Sequence, residues 1–199
     1  MAPIVGLLLA AGRSRRFGAD KLLHPLPGGE PIVVASARSL RAATDRALVL
    51  IRPQQPALRT VLQGLDIDLA EVADADAGMG VTLASGVRAA EAAAGWVVAL
   101  ADMPRVHPDT LRHVATALRE GASLAAPFHG GRRGHPVGFA RRWYAALSAL
   151  DGDEGARRLL QAHGDAITRI DVNDPGCLFD VDTPDDLRGL MPAFRDDGR

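Results

Sequence analysis

The 199-residue chain has a single cysteine, Cys177. No disulfide can close within it, and no zinc site can be assembled from its thiols. That usage fits a reducing compartment, and the cytoplasm is the expected location. An excess of one charge is also lacking. Lysine plus arginine number 23 against 24 acidic residues, a formal net charge of −1, which leaves no electrostatic case for nucleic-acid or membrane binding. Long apolar runs are missing as well. The stretch from Met1 to Gly12 is apolar with no basic residue before it, whereas a spanning helix needs about 20 apolar residues and a signal peptide needs a charged start. A buried parallel strand is the expected reading. Internal repeats and low-complexity linkers are absent. Lysine is nearly so: of the 23 basic residues only Lys21 is not arginine. A position that stays lysine in such a background is a candidate for needing a compact point charge.

What is present is ordinary for a globular domain: 47% hydrophobic and 24% charged residues. A chain of this length can bury roughly 70% of its unfolded surface without staples. One domain over residues 1–194 is expected, followed by a polar tail at 195–199. Apolar runs predict strands at Ile4–Ala10, Ala47–Ile51, Asp68–Val72, Trp96–Ala101, Ser123–Pro127, Pro136–Phe139, Ile167–Val172 and Leu178–Val181. Helical spacing predicts helices at Pro31–Ala43, Gln54–Gln63, Val81–Ala94, Pro108–Glu120, Arg141–Leu150, Glu154–His163 and Pro184–Leu190. Gly130–Gly134 reads as a mobile loop. Strands alternating with helices imply an α/β fold, a mainly parallel sheet covered on both faces. Ligands in such sheets bind outside the carboxyl ends of the strands, so functional residues should follow strands.

The first such segment is Leu9-Ala10-Ala11-Gly12-Arg13-Ser14-Arg15-Arg16-Phe17-Gly18-Ala19-Asp20-Lys21. Small residues let a ligand approach the backbone, and successive N–H groups can form an anion-binding nest. The cations Arg13, Arg15, Arg16 and Lys21 surround it, a density suited to a polyanion such as a triphosphate. The spacing is not that of a Walker A loop, since five residues separate Gly12 from Gly18 and the lysine comes three later.

This segment resembles the signature loop of nucleotidyltransferases of the MobA-like NTP transferase family, enzymes that move a nucleoside monophosphate from a triphosphate onto a second substrate. Phe17 stands where methionine is commoner. The resemblance implies a three-layer α/β/α sandwich with a Rossmann-like sheet. It also implies backbone contacts to nucleotide from Leu9, Ala10, Ala11 and Gly12, with Arg13 beside them, and phosphate contacts from Arg16 and Lys21. Gly78-Met79-Gly80-Val81-Thr82 is similar to the family's second nucleotide segment. There a loop-to-helix junction offers free N–H groups and the positive end of a dipole. Gly78, Met79, Gly80 and Thr82 are the candidates. Val72, Ala73 and Ala75 replace the family's usual residues upstream.

Carboxylates complete the set. Asp102 follows the Trp96–Ala101 strand directly, and Asp180 and Asp182 are expected on one face of another strand, with Val181 on the opposite face. Mg²⁺ prefers hard oxygen donors, usually one or two carboxylates plus phosphate and water. Asp182 or Thr183 could instead cap the helix expected at Pro184. The resemblance assigns Asp102, Asp180 and Asp182 to the metal, and Arg16, Lys21 and Asp102 to catalysis. Gly134-His135-Pro136, with Asp180-Val181-Asp182 later, looks like the subgroup that cytidylylates molybdenum cofactor. Arg133, His135 and Pro136 would face the acceptor.

The resemblance implies CTP and molybdenum cofactor (molybdopterin) as substrates, Mg²⁺ as cofactor, and a molybdenum hydroxylase or its maturation chaperone as client. Two alternatives stay open. One is guanylyl or other nucleotidyl transfer to a sugar or isoprenoid-precursor phosphate; the other is a non-catalytic cofactor carrier. Cys177 reads as an inert buried thiol.

Overall fold

The first strand, β1 (Ile4–Leu9), is the apolar run of the sequence. Its position in the fold explains the absence of charge, because it is flanked by strands on both edges and helices on both faces. The computed structural model describes residues 2–12, 20–183 and 185–187. In chain order there follow α1 (Ile32–Ala43), β2 (Arg46–Ile51), α2 (Pro56–Leu62), β3 (Asp68–Glu71), α3 (Met79–Ala89), β4 (Gly95–Leu100) and α4 (Pro108–Arg119). After them come β5 (Leu124–His129), β6 (Arg132–Arg133), β7 (Val137–Ala140), α5 (Tyr144–Ser148), α6 (Arg157–Ala162) and β8 (Ile167–Asp171).

The sheet order is β3-β2-β1-β4-β7-β5, with β6 and β8 also paired to β5. The β1–β2, β1–β4, β2–β3 and β5–β8 pairings are parallel; β7 is antiparallel to β4 and β5, and β6 to β5. The expected mainly parallel α/β sheet is therefore present, with a reversed strand let into its middle.

Period-2 alternation divides the core. Ile4, Leu8, Val49, Ile51, Val97 and Ala99 face α1, α2 and α4. Val5, Leu7, Leu48, Leu50, Trp96 and Val98 face α3, α5 and α6. Three layers result. The fully buried Trp96 also satisfies its indole N–H, which donates to the Ala90 carbonyl at 3.2 Å. Truncating such a side chain to alanine costs about 3–5 kcal/mol.

Two expectations are corrected. Leu178–Val181 is not a strand. The Asp174 carboxylate accepts the Gly176 N–H and starts a 3-10 turn over Pro175–Leu178, so the chain bends where a ladder would run. Past it, the Val181 N–H still reaches the Asp102 carbonyl at 2.8 Å. The Gly130–Gly134 segment, expected as a mobile loop, holds a paired hairpin. Gly130 and Gly131 have φ of 56° and 79°, the left-handed pair that a tight two-residue hairpin needs, and His129 pairs with Arg132.

Candidate active site

At the carboxyl ends of β1, β2 and β4 the structure opens a cleft of about 360 Å³. Leu9, Ala11 and Gly12 form its floor, Gly78, Met79 and Thr82 one wall, and Leu100 and Asp102 the other. Both glycine-bearing segments and the first carboxylate singled out in the sequence thus meet in one place. Arg13 and Arg16 lie outside the described residues.

Lys21 is held at the edge of this cleft by its own turn. The Asp20 side chain accepts the Leu22 N–H and caps a 3-10 turn over Lys21–Leu23, while Leu22 is buried in the core. The Lys21 ammonium donates to Asp102 Oδ2 at 2.8 Å, to the Val181 carbonyl at 2.8 Å and to Asp182 Oδ1 at 3.0 Å. Burial alone would lower its pKa, but the hydrogen bonds and charges of Asp102 and Asp182 raise it above the ordinary lysine value. One compact cation therefore ties the end of β4 to a segment 80 residues further on in the sequence, past the Pro175–Leu178 turn.

Capping does not occupy Asp182. Thr183 and Asp186 form a reciprocal box: the Asp186 carboxylate accepts the Thr183 N–H at 2.7 Å, and the Thr183 hydroxyl accepts the Asp186 N–H at 3.3 Å. Asp182 contributes its backbone N–H there, also to Asp186, and its carboxylate meets Lys21. Asp180 is more exposed. Partial burial, and then the charges of Asp182 and Asp102, raise its pKa against the pull of a backbone hydrogen bond and of Lys21. Among the described residues no group of three or more His, Cys, Asp or Glu side chains is gathered as a metal site. Two carboxylates, Asp102 and Asp182, converge on one cation, a donor set of hard oxygens that suits a divalent ion completed by phosphate and water.

Some candidates fall elsewhere. Ala10 is buried and its N–H is spent on the Leu50 carbonyl. Gly80 supports the wall from behind, its N–H donating to the Gly152 carbonyl at 2.8 Å. A Cβ on it would lie 2.3 Å from the Asp151 carbonyl oxygen. The helix start expected to offer free N–H groups is therefore partly covered by the 151–155 loop. Gly78 has φ 129°. The Thr82 hydroxyl turns back to the Gly78 carbonyl at 3.4 Å. Arg133 is exposed on the hairpin, and His135 and Pro136 pack behind the cleft instead of lining it. Burial, then the charge of Arg133, lowers the His135 pKa against the charge of Asp102.

Three polar lining residues, Arg52, Asp76 and Asp153, were not singled out from the sequence. Arg52 directly follows β2; its Nε donates to the Ala11 carbonyl at 2.6 Å and its Nη1 to Asp76. It joins the glycine loop to the turn before α3. Asp153 comes from the loop that packs on Gly78 and Gly80. Arg52 carries no signal among 22 arginines, and Asp153 has no motif of its own. A polar residue directly after a strand was the one general pointer to Arg52.

An open crevice at a strand-order switch, a small-residue loop after β1 and a lysine–dicarboxylate cluster define a nucleotidyltransferase-class protein. Residues 6–167 match the MobA-like NTP transferase domain, and the chain belongs to that family. It is 33% identical to the purine catabolism protein PucB of Bacillus subtilis, over 96% of this chain and 97% of that one. It is 30% identical to a probable molybdenum cofactor guanylyltransferase of Mycobacterium avium, over 96% of each. Rv0371c of Mycobacterium tuberculosis, solved in complex with manganese, superposes with a TM-score of 0.77 at 29% identity, covering 96% of this chain and 99% of that one. Among the described residues no helix is long and apolar enough to cross a membrane.

Proposed function

We propose that the protein transfers CMP from CTP to the terminal phosphate of molybdenum cofactor, giving the cytosine dinucleotide form and pyrophosphate. The observation that carries this reading is the Lys21–Asp102–Asp182 cluster, set beside a cleft that both glycine segments line. Arg52 and Asp102 follow strands on either side of β1, two strand spacings or roughly 10 Å apart. That separation suits a nucleotide lying across the end of β1, with its base toward Arg52, Asp76 and Met79 and its phosphates toward Lys21.

An oxygen of the acceptor phosphate attacks the α-phosphorus in line. The bond from that phosphorus to the β-bridging oxygen breaks, and its electron pair leaves with pyrophosphate. The attacking phosphate is already anionic, so no side chain needs to remove a proton. The residues orient two anions and offset their repulsion, and orientation of this kind is worth about 7–11 kcal/mol. Lys21 balances charge on the departing β- and γ-phosphates. Asp102 and Asp182 would hold a Mg²⁺ or Mn²⁺ ion; such an ion supplies screening between the phosphates. Support for a divalent ion comes from the two-carboxylate donor set and from the manganese complex of the mycobacterial relative. The acceptor approaches from the side of the exposed Arg133 on the hairpin.

Guanylyl transfer is the second reading, favoured by the name of the M. avium relative. Pyrophosphate release with molybdenum cofactor and a divalent metal, run in parallel with CTP, GTP, ATP and UTP, tests both. CTP-selective release is expected, GTP-selective release would install the second reading, and cofactor binding without release from any nucleotide would make the protein a carrier. Asp102→Asn should lower turnover by about 10²-fold or more while circular dichroism stays that of the folded protein. Near-normal turnover would remove Asp102 from the machinery.

A further inference from the structure

Behind the cleft, between β4, α1 and α4, lies a small, partly enclosed space of about 10 Å³. Ser36 and Ser39 of α1 line it, together with Met103, Leu111 and His135. His135 Nδ1 is buried with no hydrogen-bond partner, and among the described residues no other buried side-chain nitrogen or oxygen is in that position. Native interiors almost always provide such an atom with a partner, from the protein or from an ordered water. The Ser36 hydroxyl gives its proton to the Ala101 carbonyl at 2.9 Å, which leaves its oxygen able to accept. The space holds about one water-sized probe and has two to three polar groups on its wall, the conditions a buried water needs.

We infer that this cavity is a site for one ordered water bridging His135 Nδ1 and the Ser36 hydroxyl, and that Ser36 and His135 act through it as positioning residues for Asp102. Water can donate or accept, so it serves either neutral tautomer of the ring. Burial, then the charge of Arg133, lowers the pKa of the ring, with Asp102 opposing. The connection to Asp102 is short. Ser36 fixes the Ala101 carbonyl, the Ala101 N–H bonds the Leu9 carbonyl, and the Asp102 carbonyl takes the Val181 N–H. The His135 N–H is itself pinned to the Cys177 carbonyl at 2.9 Å. The water thereby links the segment on the acceptor side to the strand end that carries the carboxylate. The positioning role rests on the transfer reading above; the water site does not.

The test is a high-resolution crystal structure of the wild-type protein and of Ser36→Ala, with steady-state kinetics of both and of Ser36→Thr. The expected result is one water within hydrogen-bond distance of His135 Nδ1, lost or displaced in Ser36→Ala. With it, kcat should fall about tenfold while the nucleotide KM stays within about twofold, the split that loss of orientation produces. Ser36→Thr keeps the hydroxyl and should restore kcat. A dry cavity, or Nδ1 bonded to a protein group, overturns the inference whatever the kinetics. A water present with kcat unchanged in Ser36→Ala overturns the positioning role. A water present in a protein that releases pyrophosphate from no nucleotide confirms the site and defeats the transfer reading instead.

Discussion

Thr183 and Asp186 satisfy each other's backbone N–H groups, and the neighbouring Asp182 carboxylate, which takes no part in that exchange, accepts from the Lys21 ammonium 3.0 Å away. The division of labour between adjacent residues separates a structural role from a chemical one. The N–H groups of Asp182 and Thr183 also hold the Asp186 carboxyl below its ordinary pKa.

Asp186→Ala should cost about 1 kcal/mol of stability, the usual loss on removing a cap. It should also lower turnover, because the segment that aims Asp182 loosens. Thermal melts and pyrophosphate release of Asp186→Ala, set against the neighbouring Asp185→Ala, check both effects. Equal effects from the two variants would break the link.

Gly78 and Gly12 look alike in sequence but should respond differently to a methyl group. At Gly78, φ is 129° and a Cβ would fall 2.2 Å from the Gly152 carbonyl oxygen. Among the described residues nothing lies within 4 Å of a Cβ at Gly12. Gly78→Ala is expected to destabilise by more than about 1 kcal/mol, and Gly12→Ala to melt near wild type while weakening nucleotide binding. Melting curves and nucleotide titrations distinguish them.

Arg52→Lys keeps the charge but cannot reach both the Ala11 carbonyl and Asp76 from one planar fork. Nucleotide KM should rise about tenfold with kcat little changed, since a hydrogen bond from a charged donor is worth about 1.5–3 kcal/mol. A drop in kcat at unchanged KM would place Arg52 in the chemistry instead.

His135 predicts a pH dependence. Burial and Arg133 lower its folded pKa below the ordinary 6.5, with Asp102 opposing. Between the two values the unfolded chain binds more protons than the native one, so stability rises with pH there. The contribution is fully present above pH 6.5 and is lost as pH falls through the folded value. Melting temperature measured from pH 8 downward should fall below pH 6.5 more steeply for wild type than for His135→Gln. Parallel curves would refute this.

Most of the fold can be read from the sequence because β1 and β4 are apolar runs bounded by small or acidic residues, and the helices between them keep their period. The strand expected at Leu178–Val181 has apolar residues at the right spacing, but Asp174 and Pro175 bend the chain before a ladder can form. Within the candidate site, Lys21 stands out by composition, and Gly78 and Asp102 by their place after regular elements. Arg52, Asp76 and Asp153 do not, since their roles depend on three segments meeting at the cleft. Gly80 shows the converse: its motif is right, but its N–H serves packing.

The reversed strand β7 has a consequence for how such a molecule can change. A parallel strand delivers only its trailing residues to the binding edge, whereas β7, paired from Val98↔Val137 to Gly95↔Ala140, delivers its leading ones. The edge beside Asp102 is therefore fed by a hairpin whose tip, at Gly130–Gly131, hangs outside the sheet. Residues could be inserted at that tip without shifting the register of β1 or β2. One side of the crevice can be rebuilt from that hairpin while the strands on the other side stay as they are.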